Sequence, residues 1–217
     1  MGSMKFLQWL QTMWRDSNMR WDPSEFENVI STHIPSKALW RPDIAVYNQM
    51  VEIEYPQARE DILAEVFYDG TVKLVYLQAL EIRCHGFDLS QFPFDQQTCT
   101  TRYGSWAQSN EQILLTTGKV IEQDNQFRNH SEWDIVSFIG RTEDVTYSSK
   151  ILLRNPNGTE RLLNDTKIFR ELHYDLTLKR KASFYIFTLV LPSIITTTIC
   201  LIGLFAPFDA SGNREEK

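Results

Sequence analysis

Two cysteines with an aromatic–proline core between them carry the clearest chemical meaning in this chain. Cys84 and Cys99 bracket 14 residues, with Phe92-Pro93-Phe94-Asp95 close to the second cysteine. A bridge between them would staple a compact loop to the ends of two strands. By removing loop-closure entropy from the unfolded chain it would contribute roughly 3 kcal/mol. The alternative is a pair of free thiols that happen to be near in sequence, and spacing alone leaves both open. Pro93 lies between two aromatics, a context that favours a cis peptide. A third cysteine, Cys200, falls in an apolar run, where a buried, inert thiol is expected.

Other chemistries find no support in the residue pattern. There is no HExxH, no glycine-rich phosphate loop and no GxSxG. His33, His85, His130 and His173 are scattered and follow no metal-ligand spacing. An enzyme, a metal site and a cofactor are therefore not expected. The net charge of −6 offers no basic surface for nucleic acid. Sequons at Asn129-His130-Ser131, Asn157-Gly158-Thr159 and Asn164-Asp165-Thr166, taken with the cysteine pair, point to an oxidising secretory environment. No signal peptide is visible in the opening Met1-Gly2-Ser3-Met4, so a secreted form would carry its signal upstream.

The elements that must position these residues read mainly as strands. Phe6 to Trp14 is aromatic and apolar without helical spacing, and Asp22-Pro23 marks the turn after Trp21. Trp14 and Trp21 are expected in the core. Pro35 and Pro42 forbid a helix between Ile34 and Asn48, so that stretch reads as an extended, loop-bounded strand. Asp69-Gly70 signals a hairpin turn. Beyond it, Val72, Leu74, Tyr76, Leu80 and Ile82 alternate onto one face of a strand ending at Cys84. Asn155-Pro156-Asn157-Gly158 reads as a hairpin tip. From Ile168 to Leu178, Ile168, Leu172, Tyr174, Leu176 and Leu178 share one face. Phe169, Glu171, His173, Asp175 and Thr177 share the other, polar face. After Lys179-Arg180-Lys181, Phe184 to Phe205 gives 22 residues without a charge. As a helix that run would be about 33 Å long, enough to cross a bilayer. Pro192 is better tolerated in a membrane span than in a soluble helix. The sequons and cysteines place the side before this span outside the cell.

Several of these segments recur in a fixed order. They are Trp40-Arg41-Pro42-Asp43 with Tyr47-Asn48, the bracketed Phe-Pro-Phe-Asp loop, Gly104-Ser105-Trp106, Glu132-Trp133, Arg180, and an apolar run containing a proline. In this order the chain resembles the Cys-loop pentameric ligand-gated ion channels, and within them the nicotinic acetylcholine receptor-like, cation-selective branch. The resemblance runs from about Trp9 to Lys217, and the bracketed loop is one residue longer than is usual in the family. It implies a mainly β fold. Residues 1–181 would form an extracellular ligand-binding β-sandwich, incomplete at its N-terminus, and residues 182–208 a first transmembrane helix. Residues 209–217 would be a cytoplasmic linker to a pore helix that the chain lacks.

The resemblance also implies a Cys84–Cys99 disulfide, assembly with other subunits into a homo- or heteropentamer, and a plasma-membrane location. A small cationic, neurotransmitter-like ligand would bind between subunits. By position Tyr47, Trp133 and Phe169 resemble the aromatics of the principal face, and Trp9 that of the complementary face. An Arg102–Glu171 salt bridge would sit beside them. Pro93, Asp95 and Arg180 would couple binding to the membrane. Glu216 would belong to a ring of carboxylates that selects cations. Asn129, Asn157 and Asn164 would be glycosylated. One departure bears on the ligand: acetylcholine-binding principal subunits carry adjacent cysteines in the hairpin before the last strand, and residues 150–168 contain none. This points to another ligand or to a complementary-face role. The alternative reading is a truncated, membrane-tethered module that captures ligand or blocks assembly without conducting. A third is an adhesion-type β-sandwich with a single span.

Overall fold

The computed structural model of the protein describes residues 2–53, 62–118, 130–154 and 160–205. Within them the chain forms two antiparallel layers. Sheet one holds β1 (Gly2–Arg20), β6 (Asp69–Cys84), β5 (Leu63–Phe67) and β2 (Ser31–Pro35) in that order, with β4 (Gln49–Ile53) also pairing β6. Sheet two runs β3 (Ile44–Val46), β7 (Gln96–Ser105), β9 (Glu160–Arg180), β8 (Trp133–Arg154).

Strict alternation builds β1. Met4, Phe6, Gln8, Leu10, Thr12 and Trp14 are half-buried, whereas Lys5, Leu7, Trp9, Gln11 and Met13 are exposed. The strand therefore extends well beyond the expected Phe6–Trp14. Its register on β6 pairs Trp14 with Val72 and Trp9 with Leu77. The Asp69-Gly70 turn is present, and Gly70 has φ +83°, a conformation that favours glycine. The single extended strand expected between Ile34 and Asn48 is instead two short ones. Pro35 and Pro42 lack the N–H needed for a continuous ladder, and a 3-10 turn at Ser36–Ala38 separates β2 from β3.

The core has two parts. Leu39, Ala64, Val66, Val72 and Leu74 form one, against which Trp14 and Trp21 pack as expected. Leu80, Ile82, Cys84 and Cys99 form the other, with Met4, Phe6 and Val46 against them. Cys84 and Cys99 are bonded to each other, with their Cα atoms 5.2 Å apart. The bridge thus lies in packed apolar surroundings rather than on the surface. Replacing both cysteines with alanine is expected to cost roughly 3 kcal/mol. A drop in folded, surface-delivered protein would report it. A linked Cys84–Cys99 peptide and an alkylatable Cys200 in an unreduced digest check the pairing.

The chain divides into two compact units. One comprises Met1–Phe87, Cys99–Val120 and Phe138–Leu176, and the other Asp88–Thr98, Ile121–Ser137 and Thr177–Lys217. In the second, Ala182–Leu204 is a 23-residue helical segment whose most apolar 18-residue stretch has mean hydropathy 2.1, long and apolar enough to cross a membrane. It is α-helical over Ala182–Tyr185 and Leu191–Leu204, with a π-helical turn at Ile186–Val190 just before Pro192. Its hydroxyls fold back onto its own backbone: Thr188, Thr196, Thr197 and Thr198 each donate to the carbonyl four residues earlier at 2.6–2.7 Å. No hydroxyl in that set is left to face lipid without a partner. Cys200 is free, but its side chain is exposed on the helix rather than buried by the chain. The sequence places it in an apolar run, and none of the described residues buries that run.

Candidate functional site

In the first unit a chain of aromatic and charged side chains runs across β3, β7, β8 and β9. Tyr47 follows β3, whose pairing with β7 sets Val46 opposite Tyr103 and Ala45 opposite Gly104. Gly104 is required at that point, because a Cβ there would collide with the Tyr47 ring. The Tyr47 ring therefore crosses β7, and its hydroxyl donates to the Ser105 carbonyl at 2.8 Å. Burial, with the Glu171 charge second, pushes the Tyr47 hydroxyl up to about 12. It stays a neutral donor at physiological pH. Asn48 locks the same corner. Its Nδ2 donates to the Thr100 carbonyl at 2.8 Å and the Arg83 carbonyl at 3.0 Å, and its Oδ1 accepts from the Arg102 amide at 3.0 Å.

Trp106 stands at the end of β7 with 77% of its surface exposed. It meets Tyr47 edge to face, centroids 6.4 Å apart. Asp43 fixes the turn that presents it, accepting from Ser105 Oγ at 2.5 Å and from the Ala107 amide at 2.7 Å. The sequence pattern Gly104-Ser105-Trp106 by itself assigns Trp106 no binding role. Its signal was the small pair before an aromatic at a strand end.

Glu171 is fully buried, with 0% exposure. The β9 face expected to be polar is nonetheless the more buried one, since Glu171 and His173 are buried while Leu172 and Tyr174 are only half so. The reason is satisfaction of charge. Arg102 donates to Glu171 Oε2 from Nη2 at 2.7 Å and Nε at 3.0 Å, Tyr147 Oη donates to Oε1 at 3.2 Å, and His173 Nε2 lies 3.1 Å from Oε2. Both oxygens of this buried carboxylate are thereby hydrogen-bonded, as burial of a polar group requires. Tyr147 in turn meets Phe169 edge to face at 5.6 Å, and the Arg102 guanidinium lies 5.9 Å from the Tyr47 centroid. Trp106, Tyr47, Arg102, Glu171, Tyr147 and Phe169 thus form one contiguous series. Tyr147 was missed in the sequence because β8 is mostly exposed and shows no periodic signal there. Trp9 stands apart from this series on β1, 77% exposed.

The second unit has its own centre. Arg180 forms a two-point pair with Asp95, Nε to Oδ1 at 2.7 Å and Nη2 to Oδ2 at 3.2 Å, and the side chains are 11% and 2% exposed. Gln97 donates to Asp95 Oδ2 at 2.6 Å. Chiefly through the Arg180 hydrogen bond, the Asp95 carboxyl is held below the usual carboxylate range. The Arg180 guanidinium lies 4.2 Å from the Trp133 centroid, 5.1 Å from Phe92 and 5.3 Å from Tyr185. Trp133, expected among the ligand-facing aromatics, has its face occupied by this arginine. Trp106 is the tryptophan that joins Tyr47. The Phe92-Pro93 peptide is cis, as the aromatic context favours. Asn164 is exposed on β9. Glu216, Asn129, Asn157 and the Asn155–Gly158 turn lie outside the described residues.

The described residues thus combine a two-layer β fold, a charged aromatic series across β3, β7, β8 and β9, a disulfide-closed loop and an apolar helical segment at Ala182–Leu204. The chain belongs to the neurotransmitter-gated ion-channel ligand binding domain family, whose profile matches residues 2–182. Among curated relatives it is 29% identical over 208 residues to the neuronal acetylcholine receptor subunit beta-2 of Gallus gallus, covering 93% of this chain and 37% of that protein. It is 28% identical to the alpha-6 subunit of Mus musculus, with coverage of 93% and 37%. To the alpha-4 subunit of Gallus gallus it is 28% identical, with coverage of 92% and 29%. The chain therefore spans about a third of the length of the curated relatives it matches. The family is one of ligand-gated channels, not of enzymes.

Proposed function

We propose that the chain is the ligand-binding and first membrane-spanning part of a subunit of a neurotransmitter-gated, cation-selective channel. Tyr47, Trp106, Tyr147 and Phe169 form the principal aromatic surface for a small cationic ligand. Trp9, exposed on β1, serves the complementary surface of a neighbouring subunit in a homo- or heteropentamer. Residues 1–181 lie outside the plasma membrane, where Asn129, Asn157 and Asn164 accept glycans, and 209–217 continue into the cytoplasm with Glu216 at the pore mouth. The observation that carries this reading is the edge-to-face pairing of the exposed Trp106 with Tyr47 beside a buried, hydrogen-bonded carboxylate. A cation over an aromatic face gains about 2 kcal/mol once desolvated.

Trp133 takes a different part. With Arg180 on its ring it joins Asp95, Phe92 and Pro93 in the junction that passes movement of β9 to the helix. The test is expression of the complete reading frame, with currents recorded under small cationic ligands. Currents should reverse with the sodium and potassium gradients. Trp106→Ala should raise the half-activating concentration about thirtyfold, the equivalent of 2 kcal/mol, and more than Trp133→Ala does. A chloride-following reversal potential, or indifference to Trp106, would overturn it. A protein that binds cations through Trp106 yet never conducts would be the truncated capture module.

A further inference from the structure

The hairpin of β8 and β9 that carries Tyr147 and Phe169 is tied to the loop after Trp106 by a separate set of polar groups. Asp144 lies three residues before Tyr147, and Arg170 lies next to Phe169. Arg170 donates from Nε to Asp144 Oδ1 at 2.7 Å and from Nη2 to Oδ2 at 2.9 Å. Asn110, four residues past Trp106, donates its Nδ2 to the same Oδ1 at 3.3 Å. Its backbone amide donates to the Ile168 carbonyl at 2.8 Å. Three segments meet at one carboxylate: the Trp106 loop, the Tyr147 strand and the Phe169 strand.

The pair is open to water, with side chains 25% and 46% exposed, so its worth as a stabiliser is small. Its geometry is another matter. A guanidinium fork on both oxygens of a carboxylate fixes spacing and orientation in a way a point charge does not. The Arg170 hydrogen bond holds the Asp144 carboxyl down at about 2, so the pair stays charged at any physiological pH.

We infer that Asp144 and Arg170 are positioning residues that clamp the β8–β9 hairpin to the Trp106 loop, and that opening this clamp governs how fast a small cationic ligand leaves. The inference rests on the ligand role proposed above for Trp106, Tyr147 and Phe169. A ligand held between these aromatics escapes when hairpin and loop separate, so the clamp acts on departure more than on arrival.

The experiment uses the complete receptor on cells, with labelled acetylcholine and labelled tetramethylammonium as probes, and measures binding and washout rates. Asp144→Asn and Arg170→Gln are each expected to speed washout about fivefold, with association changed by less than about twofold. The exchange Asp144→Arg with Arg170→Asp should bring washout back to within about twofold of the parent, which loss of a merely structural contact would not predict. Arg170→Lys, which keeps the charge and loses the fork, should fall between. Unchanged washout in the single variants, or an exchange no better than either single, would overturn the clamp. If neither probe shows binding that Trp106→Ala removes, the ligand reading fails and the clamp with it. If Trp106 dependence holds and the exchange does not rescue, the clamp alone fails.

Discussion

Alanine at position 180 is expected to destabilise the second unit by about 3–5 kcal/mol, because it leaves the Asp95 carboxylate at 2% exposure without its cation. Gln97 would remain as a donor, so the carboxylate would be hydrogen-bonded but not neutralised. Arg180→Lys should cost less than alanine but more than nothing. A lysine keeps the charge, yet it cannot bond both oxygens and spread over Trp133, Phe92 and Tyr185 together. The pH dependence has a definite sign. The folded Asp95 carboxyl is held below its ordinary value, mainly by Arg180. Its stabilisation is therefore present above the unfolded aspartate value of about 3.9 and is lost as pH falls through the folded one. Without Arg180, burial favours the protonated acid. The gap between parent and Arg180→Ala should then narrow from pH 7 toward pH 4. Thermal unfolding of the complete receptor at the two pH values decides it, and equal melting of parent and variant at pH 7 would refute the assignment.

The parts that sequence reading captured share a physical cause. Each is fixed by local rules: period-two alternation in β6, the Asp69-Gly70 turn, and a charge-free run long enough for a membrane. The Cys84–Cys99 bridge and the Arg102–Glu171 pair were anticipated from position in a resembling family, and the structure brings both together. What escaped was set by tertiary packing. Alternation placed Glu171 and His173 on a face that composition marks as polar, yet Glu171 is closed off because Arg102, Tyr147 and His173 converge on it from three strands. No local pattern encodes that convergence. Two tryptophans follow the disulfide loop, and their types do not tell them apart. Asp43 and Gly104 hold Trp106 against Tyr47, whereas Trp133 lies under an arginine 47 residues further along the chain.

The Arg102–Glu171 pair makes the most asymmetric prediction. Arg102→Ala strands a fully buried carboxylate and is expected to cost about 3–5 kcal/mol. Glu171→Ala removes the buried charge itself. It leaves Arg102 at 41% exposure, where water can hydrate the guanidinium, and two lost acceptor bonds for Tyr147 and His173. Those losses amount to about 1–3 kcal/mol, less than the stranded charge. Arg102→Ala should therefore be the worse single change, and adding Glu171→Ala to it should relieve damage rather than add to it. The double variant should resemble Glu171→Ala alone, so the coupling should equal the cost of Arg102→Ala, about 3–5 kcal/mol. Because Tyr147 hangs on the same carboxylate and packs on Phe169, the same order should appear in ligand sensitivity of the complete receptor: Arg102→Ala weakest, the double variant recovered to the level of Glu171→Ala. Surface delivery and half-activating concentration, measured for all four proteins, read the two cycles side by side. Additive losses in both would mean that the two residues act independently. Coupling in delivery with additivity in ligand response would mean that the pair holds the strands together but takes no part in presenting Tyr147.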